Sequence, residues 1–409
     1  MSAPPPATPE APQRARSVLL IVFTTILIDF IGFSVLIPVL PLYAERLGAT
    51  PLEVALILTV YALAQLLFLP AWGWVSDRIG RRPVILASLL GTAGSFIVLA
   101  FADEIRTIYL ARALAGFFAA SIGTAQAVVT DVTSHSERAR GMGVIGAAFG
   151  AGMVVGPMLG GSMAAIGEKL PFYSVAALAA VNLVVAWVRL PESRPPTRSS
   201  PGARDFAVSL IPTPIRLVAA VHDRRIALYL YLFLHVFTAF AVLESLITYY
   251  VGMRFAKSEF DVAMIFAWIG VVLFVTQGVL LRRFVQLMSE TRLVAIGLCA
   301  MGIGLAAVAV APSYGWFFAI GSLIAFGNGI AFPSFTSLYS KACQAEQAGE
   351  LLGQSQSMAT TGRILGPAAG GWVMQSWSMG APFVIAGAMM LAAVLLFVAL
   401  RGVLVEAPD

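Results

Sequence analysis

Twelve long apolar runs, each of roughly 20 residues or more, set the strictest limit on what this chain can fold into. They fall near residues 18–43, 52–75, 83–102, 107–130, 141–166 and 171–189, and then near 226–252, 262–281, 293–311, 315–337, 351–375 and 382–402. In hydrocarbon every backbone N–H and C=O has to be bonded internally, so runs of this length are read as membrane-spanning helices. Composition bears on one point: 59% of the 409 residues are apolar and 11% charged, whereas a soluble domain carries roughly a quarter charged residues. An ordinary soluble enzyme is excluded.

The expected organisation is an all-α integral membrane protein with a disordered tail at 1–16, a six-helix bundle over 17–190, a central loop at 191–225, a second six-helix bundle over 226–402 and a tail at 403–409. The first apolar run exceeds the roughly 15 residues of a secretory h-region and is read as an uncleaved span. The central loop opens as a Pro/Ser-rich flexible linker, and 206–221 reads as a short interfacial helix interrupted by Pro212 and Pro214.

Lys and Arg gather in alternate gaps, at Arg78, Arg81 and Arg82, at Arg138 and Arg140, through the central loop, and at Arg282, Arg283 and Arg292. The opposite gaps hold only Arg46, Arg106, Lys169, Arg254 and Lys257. The positive-inside rule then places both termini in the cytoplasm. The net charge of +5 belongs to these short gaps and not to a nucleic-acid-binding face. His135, His222, His235, Cys299 and Cys343 are too scattered for a metal site, and no cofactor is expected.

The two halves are related by an internal repeat. Span five contains Gly143, Gly152, Gly156, Pro157, Gly160 and Gly161, and span eleven contains Gly353, Gly362, Gly366, Pro367, Gly370 and Gly371, every pair 210 residues apart. Glycines at these spacings let a neighbouring backbone approach closely, and the prolines free a carbonyl. Parallel repeats of six helices are a transporter architecture with the substrate path between the halves.

Between spans two and three the chain reads Gly73-Trp74-Val75-Ser76-Asp77-Arg78-Ile79-Gly80-Arg81-Arg82-Pro83, a tight turn in which Gly80 can take positive φ and Asp77 can accept hydrogen bonds. This run resembles the loop 2–3 signature of the major facilitator superfamily, with Val75 where that signature has leucine. The span-five glycines resemble its antiporter signature, and Arg112-Ala113-Leu114-Ala115-Gly116 resembles its Arg-x-x-x-Gly element. The run from Leu27 to Pro41, with Asp131-Val132-Thr133 and Glu137-Arg138-Ala139-Arg140, is similar to twelve-span drug:proton antiporters such as the tetracycline efflux pumps. The resemblance implies a proton-driven exporter in the bacterial inner membrane, with Arg112 associated with proton coupling. It also implies a cytoplasmic latch at Gly73, Asp77, Arg78, Gly80, Arg81 and Arg82 that holds the halves together when the outside is open.

Ionisable groups inside apolar spans cost at least about 2.5 kcal/mol each and are functional candidates by default. Asp29 is read as a proton carrier, or as a carboxylate locked to Arg112. Arg363 stands where the repeat has Met153, and either binds an anionic substrate or neutralises Glu244 or Asp29. Counting along the helices puts Asp29, His235, Arg112 and Arg363 around mid-depth and Glu244 toward the outer mouth, as a gate or substrate-facing acid. His235 either titrates or is simply hydrogen-bonded. Phe30, Phe33, Tyr61, Tyr249 and Tyr250 are candidates to line the path.

The expected protein is therefore a monomeric secondary active transporter exchanging protons for a small, largely apolar organic compound across the bilayer. The alternatives are an exporter of a metabolite, lipid or siderophore, or a non-transporting membrane sensor. An enzyme is not expected, because no nucleophile, histidine and carboxylate converge in one pair of spans.

Overall fold

The computed structural model describes residues 10–132, 138–193, 224–342 and 348–400. Residues 1–9 and 401–409, the linker and interfacial helix expected after residue 193, Glu137, His135, His222 and Cys343 lie outside these residues, as do the side chains of Arg138 and Arg140. The tail expected at 1–16 is shorter than that, because residues 10–16 are helical and continue into the first span. Among the described residues the chain is helical throughout, with no strand.

The first half contains α1 (Glu10–Arg46), α2 (Pro51–Ile79), α3 (Arg81–Ala100), α4 (Ile105–Phe117), α5 (Ser121–Val132), α6 (Arg138–Ile166) and α7 (Leu170–Arg189). The second contains α8 (Arg224–Phe255), α9 (Glu259–Val275), a π-helical turn at Thr276–Leu280, α10 (Leu281–Leu287), α11 (Glu290–Val310), α12 (Trp316–Lys341), α13 (Ala348–Ser376) and α14 (Ala381–Ala399). Equivalent helices begin in the same way. Thr50 and Glu53 form a capping box at the start of α2, and Ser258 and Asp261 form one at the start of α9, each satisfying two N-terminal donors.

Eleven described segments are long and apolar enough to cross a membrane. The twelfth expected span is α13, which is 29 residues long but carries Gln354, Ser355, Thr360, Thr361 and Arg363. Its polarity follows from its place, because α13 packs along α8 and α2 rather than only against lipid. The fourth span departs from expectation in another way. It is broken at residues 118–120 into α4 and α5.

Each half has its own core. One buried cluster runs from Tyr229 to Phe397 and takes only Ala55 from the first half, while Val35, Tyr43 and Phe172 anchor one first-half cluster and Val22, Ile85 and Val129 another. The halves meet through α2 against α13 and α6 against α9. In α2 the buried residues are Val54, Ala55, Ile57, Thr59 and Ala62, with none between there and Ser76. In α9 they are Val262, Ala263 and Ile265. The halves are therefore sealed at the end bearing Arg46 and part toward the end bearing Asp77.

Candidate functional site

Proline chemistry helps build the sealed end. Pro41 lacks the N–H that would bond the Ile37 carbonyl four residues back, and Thr248 of α8 donates its hydroxyl to that carbonyl at 2.8 Å, across the two halves. Farther out, Arg46 donates through Nε to Glu168 at 2.6 Å and through Nη1 to Glu259 at 2.5 Å, so one guanidinium ties the α6–α7 turn to α9. The sequence reading counted Arg46 as a topology marker and missed this contact, because its two acids lie 122 and 213 residues away.

The glycine repeat acquires a division of labour. In the first half a β-carbon at Gly152 would stand 2.6 Å from Phe30 Cβ, one at Gly156 2.9 Å from the Ile31 carbonyl oxygen, and one at Gly160 2.7 Å from that of Val35. All three lie against α1, and Ser34 Oγ donates across the same seam to Gly152 O at 2.8 Å. Gly362, Gly366 and Gly370 lie in the same way against Phe237, Thr238 and Val242 of α8. The last glycine of each run faces the opposite half: Gly161 meets Glu259, Phe260 and Ala263 of α9, and Gly371 meets Pro51, Leu52 and Ala55 of α2. Gly143 and Gly353 lie in α6 and α13 outside the residues whose surroundings are described.

Just inside the seal is a cavity of 20 Å³ lined by Phe33 of α1, Leu58, Tyr61, Ala62 and Gln65 of α2, Ala241 and Glu244 of α8, and Arg363 and Pro367 of α13. That space holds about one water. Arg363 Nε stands 3.5 Å from Glu244 Oε2, and its guanidinium lies 5.8 Å from the Phe33 ring centroid. Glu244 is thus at the level of Arg363, not out at the mouth. Side chains on a helix lean toward its N-terminus, which draws the carboxylate back from its backbone position, and the long arginine spans the rest.

Asp29 and Arg112 do not pair. Ser121 Oγ donates to Asp29 Oδ2, from the first residue of α5 where span four resumes after its break. Ser88 of α3 holds the break itself, donating to the Phe118 carbonyl and accepting from the N–H of Ala120 at 3.3 Å and of Ser121 at 3.1 Å. Trp72 Nε1 donates to Phe117 O at 2.5 Å. Nothing in the sequence flagged these serines, since serine is common in membrane helices. Arg112 is 3% exposed. Its guanidinium lies 4.4 Å from the Tyr61 ring centroid, with Nε and Nη2 making no hydrogen bond. A cation–π contact stands in place of the ion pair with Asp29, one of the two readings of that carboxylate.

Of the other candidates, Phe33 and Tyr61 face the cavity. Phe30 packs edge-on to Phe149 at 4.5 Å, Tyr250 lies in the second-half core and Tyr249 packs against the cores of both halves. His235 Nε2 donates to Met389 O at 2.9 Å and is away from the cavity.

At the opposite end Gly80 has φ of +102°, the left-handed region expected of it. Arg81 is the hub of this turn, 2.7 Å from Asp77, 3.4 Å from Asp131 and 3.1 Å from Ser76 Oγ. Arg78 lies 4.8 Å from the Trp74 ring centroid, and a β-carbon at Gly73 would meet nothing within 4 Å. Glu192, assigned by sequence to the linker, caps α3 by accepting from the backbone N–H of Arg81 at 2.8 Å and of Arg82 at 3.2 Å. These contacts lie within the first half.

Comparison with known proteins fits this architecture. The chain is 30% identical to the class G tetracycline resistance protein of Vibrio anguillarum over 90% of its length and 95% of the relative's. It superposes on the human organic anion transporter MFSD10 (TETRAN) with a TM-score of 0.70 at 25% identity, covering 94% of this chain and 99% of that one. A peptide transporter shares the fold with a TM-score of 0.79 at 15% identity, over 97% and 99% of the two chains. The profile of the Major Facilitator Superfamily matches residues 22–365 and 287–408. With two helical halves meeting around a central cavity, and with that match across nearly the whole chain, this multi-pass membrane protein belongs to the Major Facilitator Superfamily of transporters.

Proposed function

We propose that the protein exports a small, largely apolar organic compound in exchange for protons, by alternately opening its two halves around the central cavity. The observation that carries this reading is Asp29. It is a carboxylate in a membrane-spanning segment, held by the Ser121 hydroxyl, with no ion-pair partner among the described residues. A hydroxyl can donate to a carboxylate or accept from a carboxylic acid, so Ser121 serves both protonation states without rearrangement of an ion pair. Arg112, stacked on Tyr61, supplies positive charge nearby and modulates the exchange.

The tetracycline resistance and organic anion transporter names of the relatives support a small organic cargo. In this reading the Asp77 end is cytoplasmic, as the Lys and Arg distribution indicates, the membrane is the bacterial inner membrane, and one chain, which holds both halves of the path, is the working unit. An exporter of a metabolite, lipid or siderophore would use the same machinery. A substrate screen in vesicles with an imposed pH gradient separates these cargoes.

The mechanism is tested with Asp29→Asn in proteoliposomes. Gradient-driven export should be lost while circular dichroism and gel filtration match the wild type. Export at the wild-type rate by the folded variant would remove Asp29 as the proton carrier.

A further inference from the structure

We infer that the exported compound carries an acidic group, a carboxylate in the simplest case, which docks on the Arg363 guanidinium by displacing Glu244 while its apolar body lies against Phe33 and Tyr61. This rests on the reading of the central cavity as the cargo path.

Arg363 is the sixteenth residue of the 29-residue helix α13, yet its side chain is 40% exposed, whereas that of its partner Glu244 is 8% exposed. The cation faces the gap between the halves and the anion is tucked behind it, so an entering molecule meets positive charge first. The pair is also poorly made. Nε and Oε2 are 3.5 Å apart, and Nε makes no hydrogen bond although it is enclosed by protein. A guanidinium matched to a carboxylate forms parallel bonds of about 2.8 Å. Glu244 therefore neutralises Arg363 in the absence of cargo without occupying its donors, the arrangement of a placeholder rather than a locked ion pair.

The surroundings select further. Arg112 adds a second positive charge behind Tyr61 with two unbonded donors, and Asp29 is engaged by Ser121. A cationic cargo would have to pass the more exposed Arg363 to reach Glu244, which is 8% exposed, and a neutral one would leave the imperfect pair unchanged. Phe33, on which the guanidinium lies, and Leu58 give an aromatic or aliphatic body an apolar wall.

The test uses the purified full chain in detergent, without a proton gradient, titrated by tryptophan fluorescence with matched aromatic acids and their primary amides. The first pair is 2-naphthoate with 2-naphthamide, followed by benzoate, phenylacetate and indole-3-acetate with theirs. At least one acid should bind about tenfold or more tightly than its amide, the worth of a charge-assisted bond. Arg363→Gln should erase that preference and keep amide affinity, Arg363→Lys should retain part of it, and Glu244→Gln should strengthen acid binding by freeing the guanidinium. If Arg363→Gln does not fold, Arg363→Lys and Glu244→Gln carry the test.

No acid binding better than its amide, whether or not the amides bind, would overturn the inference. So would a preference that survives Arg363→Gln, which would put the anion elsewhere. Because binding is read without a gradient, this outcome is independent of whether Asp29 carries the proton.

Discussion

Substituting Gly161 by alanine tests whether the last glycine of the span-five run seals the two halves together. The added β-carbon would stand 3.0 Å from the Glu259 carbonyl oxygen and 3.1 Å from Phe260 Cα, with Ala263 Cβ nearer still. These are backbone atoms and a β-carbon, not the ends of flexible side chains, so the clash is relieved by moving α6 away from α9. Overpacking of this kind costs about 1–3 kcal/mol. The contact exists only while the Arg46 end is closed, so the cost falls on that state alone and shifts the closed-to-open ratio by roughly 5- to 150-fold. The neighbouring Gly160 is the control. Its β-carbon would meet Val35 of α1 at 2.7 Å, within the first half, so Gly160→Ala should lower thermal stability in every state without the same shift. Pulsed electron resonance between spin labels at Ile166 and Val310, both 74% exposed, in a background with Cys299 and Cys343 replaced by serine, reads the separation of the halves. Gly161→Ala should enlarge the long-distance population. An unchanged distribution, or an equal shift from Gly160→Ala, would refute the assignment of this glycine to the seal.

Two other contacts have measurable consequences. Arg46 and Glu259, whose side chains are 41% and 13% exposed, form a bridge that water weakens to about 1 kcal/mol or less. Arg46→Gln and Glu259→Gln should each widen the same label distance about two- to fivefold in population, and the double variant should do no more than either alone; additive effects would mean the two do not act as a pair. Asp77→Asn removes the 2.7 Å bridge to Arg81 and should slow turnover several-fold with little change in cargo affinity. A wild-type turnover rate in that variant would count against a latch at this loop.

Legibility in the sequence followed one rule, that a residue was visible when it broke the pattern of its own segment. Asp29, Arg112, Glu244 and Arg363 stood out as charges within apolar runs, and the structure gathers Glu244 and Arg363 at the cavity with Arg112 on the ring of Tyr61, which lines it. Their pairing was not visible, since a charge in an apolar run shows its cost and not its partner: Asp29 found Ser121, Arg112 found the face of Tyr61. Glu192 was hidden for the opposite reason. In a polar segment a carboxylate looks ordinary, and only the fold brings it to the first turn of α3. Span eleven shows the limit of hydropathy, because α13 is polar enough to fall short of a lipid-facing helix and is tolerated between α8 and α2.

By itself the sequence determined the approximate placing of the apolar spans, the duplication at 210 residues, and which few positions carry charge through the membrane, because each follows from local solvation and spacing along one segment. Tertiary structure alone decided that Gly152, Gly156 and Gly160, like Gly362, Gly366 and Gly370, pack within a half and the last glycine of each run across it, that Arg46 reaches Glu259, and that Arg363 stands imperfectly matched to Glu244 beside a nearly closed cavity. Those outcomes depend on which helix faces meet, and that is settled by packing among residues up to about three hundred positions apart, where the local pattern carries no information.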